Sequence, residues 1–186
     1  PAHHSALKHA VSVRAEMGLR TLFNILGPLT NPAQASHQLL GVYKAELLEP
    51  LAQVLANLGL THAVVVHGEE GFDEVSIAGP TQVVDYQAGK FTRYVIRPED
   101  FGLPSHSLAG LTVSSAEESF TLVKQVLNNE AGAALDMVVL NSGVALYAAD
   151  VAATIQEGVT LAQEAIASGK ALAKLEALKT LTQSFN

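Results

Sequence analysis

The stretch from residue 37 to residue 66 limits the fold more than any other part of this chain. Residues 37–43 read as a short strand. Residues 47–58 read as an amphipathic helix stopped by Gly59, and Ala63-Val64-Val65-Val66 is an unbroken apolar run rich in β-branched residues. Such a run is the mark of a strand buried on both faces. Two strands joined by a helix of that length predict a parallel βαβ unit, because a parallel return needs a crossover connection.

Beyond Val66 the pattern changes. His67-Gly-Glu-Glu-Gly-Phe-Asp-Glu74 reads as a loop, and residues 75–77, 81–86 and 90–96 read as strands, the last two forming a hairpin closed around Gln87-Ala88-Gly89. Ser115-Ala-Glu-Glu118 and Thr154-Ile-Gln-Glu157 are candidate capping boxes, each with an N-cap hydroxyl and a Glu three residues on. The helices they open are expected to reach about Asn128 and Ser168, with a last helix over 170–181. The apolar stretch 131–149 is interrupted by Asp136, Asn141 and Ser142, so it reads as a buried helix and not as a membrane span. At the other end, residues 5–17 predict a helix stopped by Gly18. The expected architecture is a single α/β domain with helices covering a sheet.

With 186 residues, 48% hydrophobic and 16% charged, the chain has ample material for a core. A formal net charge of −7 argues against nucleic acid or an anionic membrane as partner. There are no cysteines, which excludes disulfides, thiolate metal sites and Cys nucleophiles. The chain opens Pro1-Ala-His-His-Ser, without a basic start and apolar run, so no signal peptide is expected and a cytoplasmic location is the default.

Three features could carry chemistry. Asp73 and Glu74 follow a buried strand by a few residues, in the region where open α/β sheets collect ligands. Two adjacent carboxylates there can hold Mg²⁺, which prefers oxygen ligands and shares them with substrate phosphates. A solvated acidic loop is the alternative, since Glu69 and Glu70 are acidic too. Arg14 falls in the middle of the apolar side of the first helix, between Ala10 and Met17. A guanidinium there either binds a carboxylate or snorkels to water along its packed stem. His4 leans to the same side, about 15 Å away along a helix axis. Finally, Arg20-Thr-Leu-Phe-Asn-Ile-Leu-Gly-Pro-Leu-Thr-Asn-Pro32 puts Gly27, Pro28, Asn31 and Pro32 within six residues, which predicts a stiff loop able to bring main chain close to a small ligand. No helical His pair has metal spacing and no Gly-x-Ser-x-Gly elbow is present.

All three features resemble signatures of the anthranilate phosphoribosyltransferases. The Gly27-Pro28-Leu-Thr-Asn-Pro32 loop is similar to the family's own, and His67-Gly-Glu-Glu-Gly-Phe-Asp73-Glu74-Val-Ser76 is similar to its Asp-Glu metal motif. His4-Ser-Ala-Leu-Lys-His-Ala-Val-Ser-Val-Arg14 resembles its anthranilate-side helix. The resemblance implies that Arg14 meets the substrate carboxylate, that His4 lies near that pocket, and that Pro28 packs on the aromatic ring. It also implies that Asp73 and Glu74 hold Mg²⁺. The implied fold is a mixed, largely parallel sheet flanked by helices, as in the large domain of the nucleoside phosphorylase and phosphoribosyltransferase-like proteins. The implied reaction joins anthranilate to phosphoribosyl pyrophosphate in tryptophan biosynthesis, and the implied assembly of the full-length enzyme is a homodimer.

The family's N-terminal helical domain, Gly-rich diphosphate loop and Lys-His-Gly-Asn segment have no counterpart in these residues. Residues 1–186 are therefore expected to form the C-terminal portion of the α/β catalytic domain, inactive by themselves, with no convincing general base among them. Two rivals are a pyrimidine-nucleoside phosphorylase, which acts at the same kind of anomeric carbon, and a non-catalytic nucleic-acid-binding relative.

Overall fold

The computed structural model describes Glu16 and residues 23–185. They fall into two compact units that divide in sequence between Ser36 and His37. Apart from Glu16, the helix expected over 5–17 lies outside the described residues.

In the first unit one helical turn, α1 (Phe23–Leu26), runs into a 3-10 turn, Gly27–Leu29, with Pro28 in its first positions. Pro suits that place because its missing N–H has no partner to lose there. Thr30 closes the turn, its hydroxyl donating to the Leu26 carbonyl at 3.0 Å. Asn31 then accepts from the Ala33 N–H at 3.0 Å through its side chain and from the Gln34 N–H at 3.1 Å through its main chain. The loop is thus built as expected from Pro and Asn. Gly27, however, sits inside the 3-10 turn and makes no use of left-handed backbone angles.

The second unit is organised on four strands in the order β1-β2-β3-β4. β1 (His37–Gly41) and β2 (His62–Gly68) pair in parallel, joined by α2 (Leu48–Asn57). This is the βαβ unit read from the sequence. β3 (Thr81–Gln87) and β4 (Lys90–Ile96) add antiparallel neighbours. The sheet is mixed as expected, but among the described residues one pairing is parallel and two are antiparallel, so parallel pairing does not predominate. The Ala88-Gly89 turn has φ of 50° and 85°, both positive, which matches the right-handed twist of a two-residue hairpin.

Alternation along the strands sorts the core. Val64, Val66 and Val83 face α4 (Ala133–Ala148) and α5 (Ile155–Ala167), in one cluster with Leu140, Val144 and Val159. Their neighbours Ala63, Val65 and Val84 are equally buried outside that cluster, and α2 packs on β2 and β3. Period-two alternation therefore places α2 on the opposite face. α4 and α5 cross so closely that a Cβ on Gly158 would overlap the Gly143 carbonyl oxygen. α3 (Ala116–Leu127) and α6 (Lys170–Gln183) complete the unit. Both expected N-caps are made: Ser115 and Thr154 each accept the N–H of the Glu three residues on, at 3.1 Å. The Glu side chains reach back one residue further than a standard box, to the Ser114 and Ala153 N–H groups at 2.8 Å.

Residues 75–77, expected as a strand, are not one. Their main-chain groups are satisfied by side chains and a loop instead: Val75 by the Asn141 amide, the Ser76 N–H by the Thr81 hydroxyl at 2.8 Å, and the Ile77 carbonyl by the His106 N–H at 2.9 Å. The apolar character of Val75 and Ile77 reflects complete burial, which a short apolar run cannot distinguish from strand pairing. Among the described residues no helix is long and apolar enough to cross a membrane.

Candidate active site

The carboxyl ends of β1 and β2 carry the loop with Asp73 and Glu74. Its path is set by backbone bonds. Gly68 and Phe72 exchange hydrogen bonds of 2.9 and 3.2 Å, Gly71 turns the chain with φ 88°, and the Glu69 N–H donates to the Pro80 carbonyl at 3.1 Å. Buried His67 donates from Nδ1 to the Val42 carbonyl at 2.8 Å, tying the end of β2 to the segment leaving β1. The decisive contact is at Gly41, the last residue of β1. A Cβ there would fall on the Asp73 carbonyl oxygen. Only glycine lets the Asp73 main chain lie against the sheet at this point.

Asp73 and Glu74 are both exposed. The Glu74 carboxyl is nevertheless pushed above its ordinary range, first by partial loss of hydration and then by the Asp73 charge beside it. From α4, the Asn141 side chain accepts the Val75 N–H at 2.9 Å and donates to the Val75 carbonyl at 2.9 Å and to the Met137 carbonyl at 3.0 Å. Glu74, Asn141 and Ser142 form the polar end of a cleft of ≈ 350 Å³ whose other walls are apolar, among them Leu122, Val126 and Met137.

Of the residues singled out in the sequence, Asp73 and Glu74 stand together at the sheet's carboxyl end. Pro28 is half-buried in the first unit. Arg14 and His4 lie outside the described residues. Among the described residues no group of three or more His, Cys, Asp or Glu side chains is arranged to hold a metal. A pair of carboxylates suits Mg²⁺ in particular, which keeps waters and substrate phosphates for its remaining positions.

Two polar clusters escaped the sequence reading. Half-buried His106 donates from Nε2 to Asp136 at 2.7 Å. A larger cluster sits at the amino end of β2, six residues from Gly68 and about 20 Å away at strand rise. Fully buried His62 donates from Nδ1 to Asp150 at 2.7 Å, His37 donates to the other oxygen of Asp150 at 2.9 Å, and Gln87 adds a bond of 3.1 Å. Tyr147 and Tyr94 donate to buried Asp85 at 2.7 and 3.1 Å. The two histidines hold the Asp150 carboxyl below its ordinary range, His62 more strongly. Burial and Asp85 push both tyrosines upward. Asp85 inside the run Val83-Val84-Asp85-Tyr86 was the available signal, since a carboxylate on a buried strand needs a partner. Its location makes this cluster a fastening of α4 to the sheet, far from Asp73.

These features define a sheet with a carboxylate-bearing loop at the carboxyl end of a parallel strand pair. Residues 1–172 match the profile of the glycosyl transferase family, a/b domain, and the chain belongs to that family. Among curated proteins it is 51% identical, over its whole length, to 54% of an anthranilate phosphoribosyltransferase from Ectopseudomonas mendocina. Among solved structures it is similar to the anthranilate phosphoribosyltransferase of Thermus thermophilus, with 43% identity, TM-score 0.86, and coverage of 94% of this chain and 51% of that one. The Saccharomyces cerevisiae enzyme in complex with phosphoribosyl pyrophosphate (PRPP) and Mg matches with 31% identity, TM-score 0.81, and coverage of 93% and 50%. The chain spans about half the length of the curated relatives it matches.

Proposed function

We propose that this chain is the C-terminal portion of the α/β domain of an anthranilate phosphoribosyltransferase. The intact protein transfers phosphoribose from PRPP to anthranilate, releasing pyrophosphate, as a step of tryptophan biosynthesis in the cytoplasm, and works as a homodimer. The observation that carries this reading is identity of about half, 51%, across the whole chain, combined with a carboxylate pair at the carboxyl end of β2.

The reaction is a displacement at the anomeric carbon of ribose, in which the anthranilate amine attacks as pyrophosphate departs. Such a step needs positioning and charge neutralisation more than a covalent nucleophile. Asp73 and Glu74 are the residues here that would hold Mg²⁺. Bound Mg²⁺ neutralises pyrophosphate charge. Arg14 fixes the acceptor, because its planar fork can donate two parallel hydrogen bonds to the anthranilate carboxylate. His4 and Pro28 line the acceptor side. The yeast complex with PRPP and Mg supports the donor and the ion.

The test is a product assay on the intact protein with anthranilate, PRPP and Mg²⁺. Stoichiometric phosphoribosylanthranilate and pyrophosphate are expected. Phosphorolysis of thymidine without reaction of anthranilate would replace this reading by a pyrimidine-nucleoside phosphorylase. A mobility shift of nucleic acid at physiological salt with neither activity would replace it by a binding module.

A further inference from the structure

We propose that Asn141 is a positioning residue for the carboxylate pair, an inference that rests on the metal-binding reading of Asp73 and Glu74. Val75 follows Glu74 directly and is fully buried. Among the described residues its N–H and its carbonyl bond only to the Asn141 amide, both at 2.9 Å. The second hydrogen of that amide goes to the Met137 carbonyl at 3.0 Å. The amide's orientation follows from these partners, since two carbonyls require the nitrogen and one N–H requires the oxygen. An acceptor and two donors on one short side chain are what only an amide supplies.

The anchor itself is rigid. Val139, Leu140 and Val144 beside it are at most 2% exposed, and Gly143, two residues on, lies against the backbone of α5. On the other side of the pair, Gly41 seats the Asp73 carbonyl against β1. The two carboxylates are therefore suspended between two fixed points, one on each side. Without the Asn141 clamp the Val75 main chain loses its partners and the loop relaxes toward solvent, carrying Glu74 with it. Groups that orient a metal's ligands typically matter about 10- to 100-fold for its affinity.

The experiment titrates Mn²⁺ by electron paramagnetic resonance into the intact protein with PRPP present, alongside thermal melts and KM for anthranilate. Asn141→Ala should lower Mn²⁺ affinity about 10- to 100-fold and leave KM for anthranilate at its wild-type level. Asn141→Ser, which retains one donor and acceptor, should fall between. Asp150→Asn at the far end of β2 is the stability control: it should lower the melting temperature and leave Mn²⁺ affinity unchanged. If the Asn141 variants melt early but bind Mn²⁺ like wild type, while Asp73→Asn with Glu74→Gln loses it, the inference is overturned and the metal reading survives. If that double variant also binds like wild type, the metal reading itself fails. Failure of both Asn141 variants to fold assigns the residue to the fold and overturns the inference as well.

Discussion

Gly41→Ala tests whether the close approach of the loop to the sheet governs the site. The added methyl would occupy the place of the Asp73 carbonyl oxygen and lies 3.3 Å from the Asp73 Cα. Neither side yields easily. Gly41 is paired with Val66 in the parallel ladder, and the obstructing atoms are main chain. Restoring van der Waals distance requires the Asp73 backbone to withdraw by roughly 2 Å. Overpacking of this kind costs about 1–3 kcal/mol, which in a domain of about 150–250 residues lowers the melting temperature by about 2–12 °C. The functional effect should be larger than the stability effect, because misplacement of about 1 Å can cost on the order of 100-fold in rate. In the intact protein we expect a strongly raised Mg²⁺ requirement for phosphoribosyl transfer, with KM for anthranilate little changed. The assay is turnover against Mg²⁺ concentration, with a parallel melt. A variant that melts within a degree or so of wild type and keeps the wild-type Mg²⁺ profile would refute the reasoning, since the loop would then have room that the backbone geometry denies it.

Other outcomes follow from named residues. Asp150 is held below its ordinary pKa by His62 and His37, so its contribution to stability is present above the unfolded value and is lost as pH falls through the folded one. Urea melts should therefore show Asp150→Asn less stable than wild type near pH 6, with the gap closing below about pH 4; a constant gap would contradict this. Arg14→Ala should raise KM for anthranilate about 10- to 150-fold, from loss of roughly 1.5–3 kcal/mol of charge-assisted hydrogen bonding. KM for PRPP should change little, and Arg14→Lys should restore only part. Lower stability with both KM values unchanged would instead identify Arg14 as a snorkelling side chain.

Local patterns were sufficient for much of this protein. The β-branched run 63–66, the amphipathic helix closed by Gly59 and the two hydroxyl caps are all legible because they depend on residues near each other in the chain. The Asp73-Glu74 pair was legible for the same reason: adjacent carboxylates after a buried strand need no partner from elsewhere to be noticed. Tertiary structure alone decided what those carboxylates rest on. Gly41 meets Asp73 across 32 residues and Asn141 meets Val75 across 66, so Asn141 reads in sequence only as an interruption of an apolar stretch. The same holds for His62, whose partners Asp85 and Asp150 come from β3 and the end of α4. It holds again for residues 75–77, where burial without strand pairing looks in sequence like a strand. Backbone propensity and side-chain periodicity act over a few residues and can be read one segment at a time. Hydrogen-bond satisfaction and close packing act between segments that only the folded chain brings together.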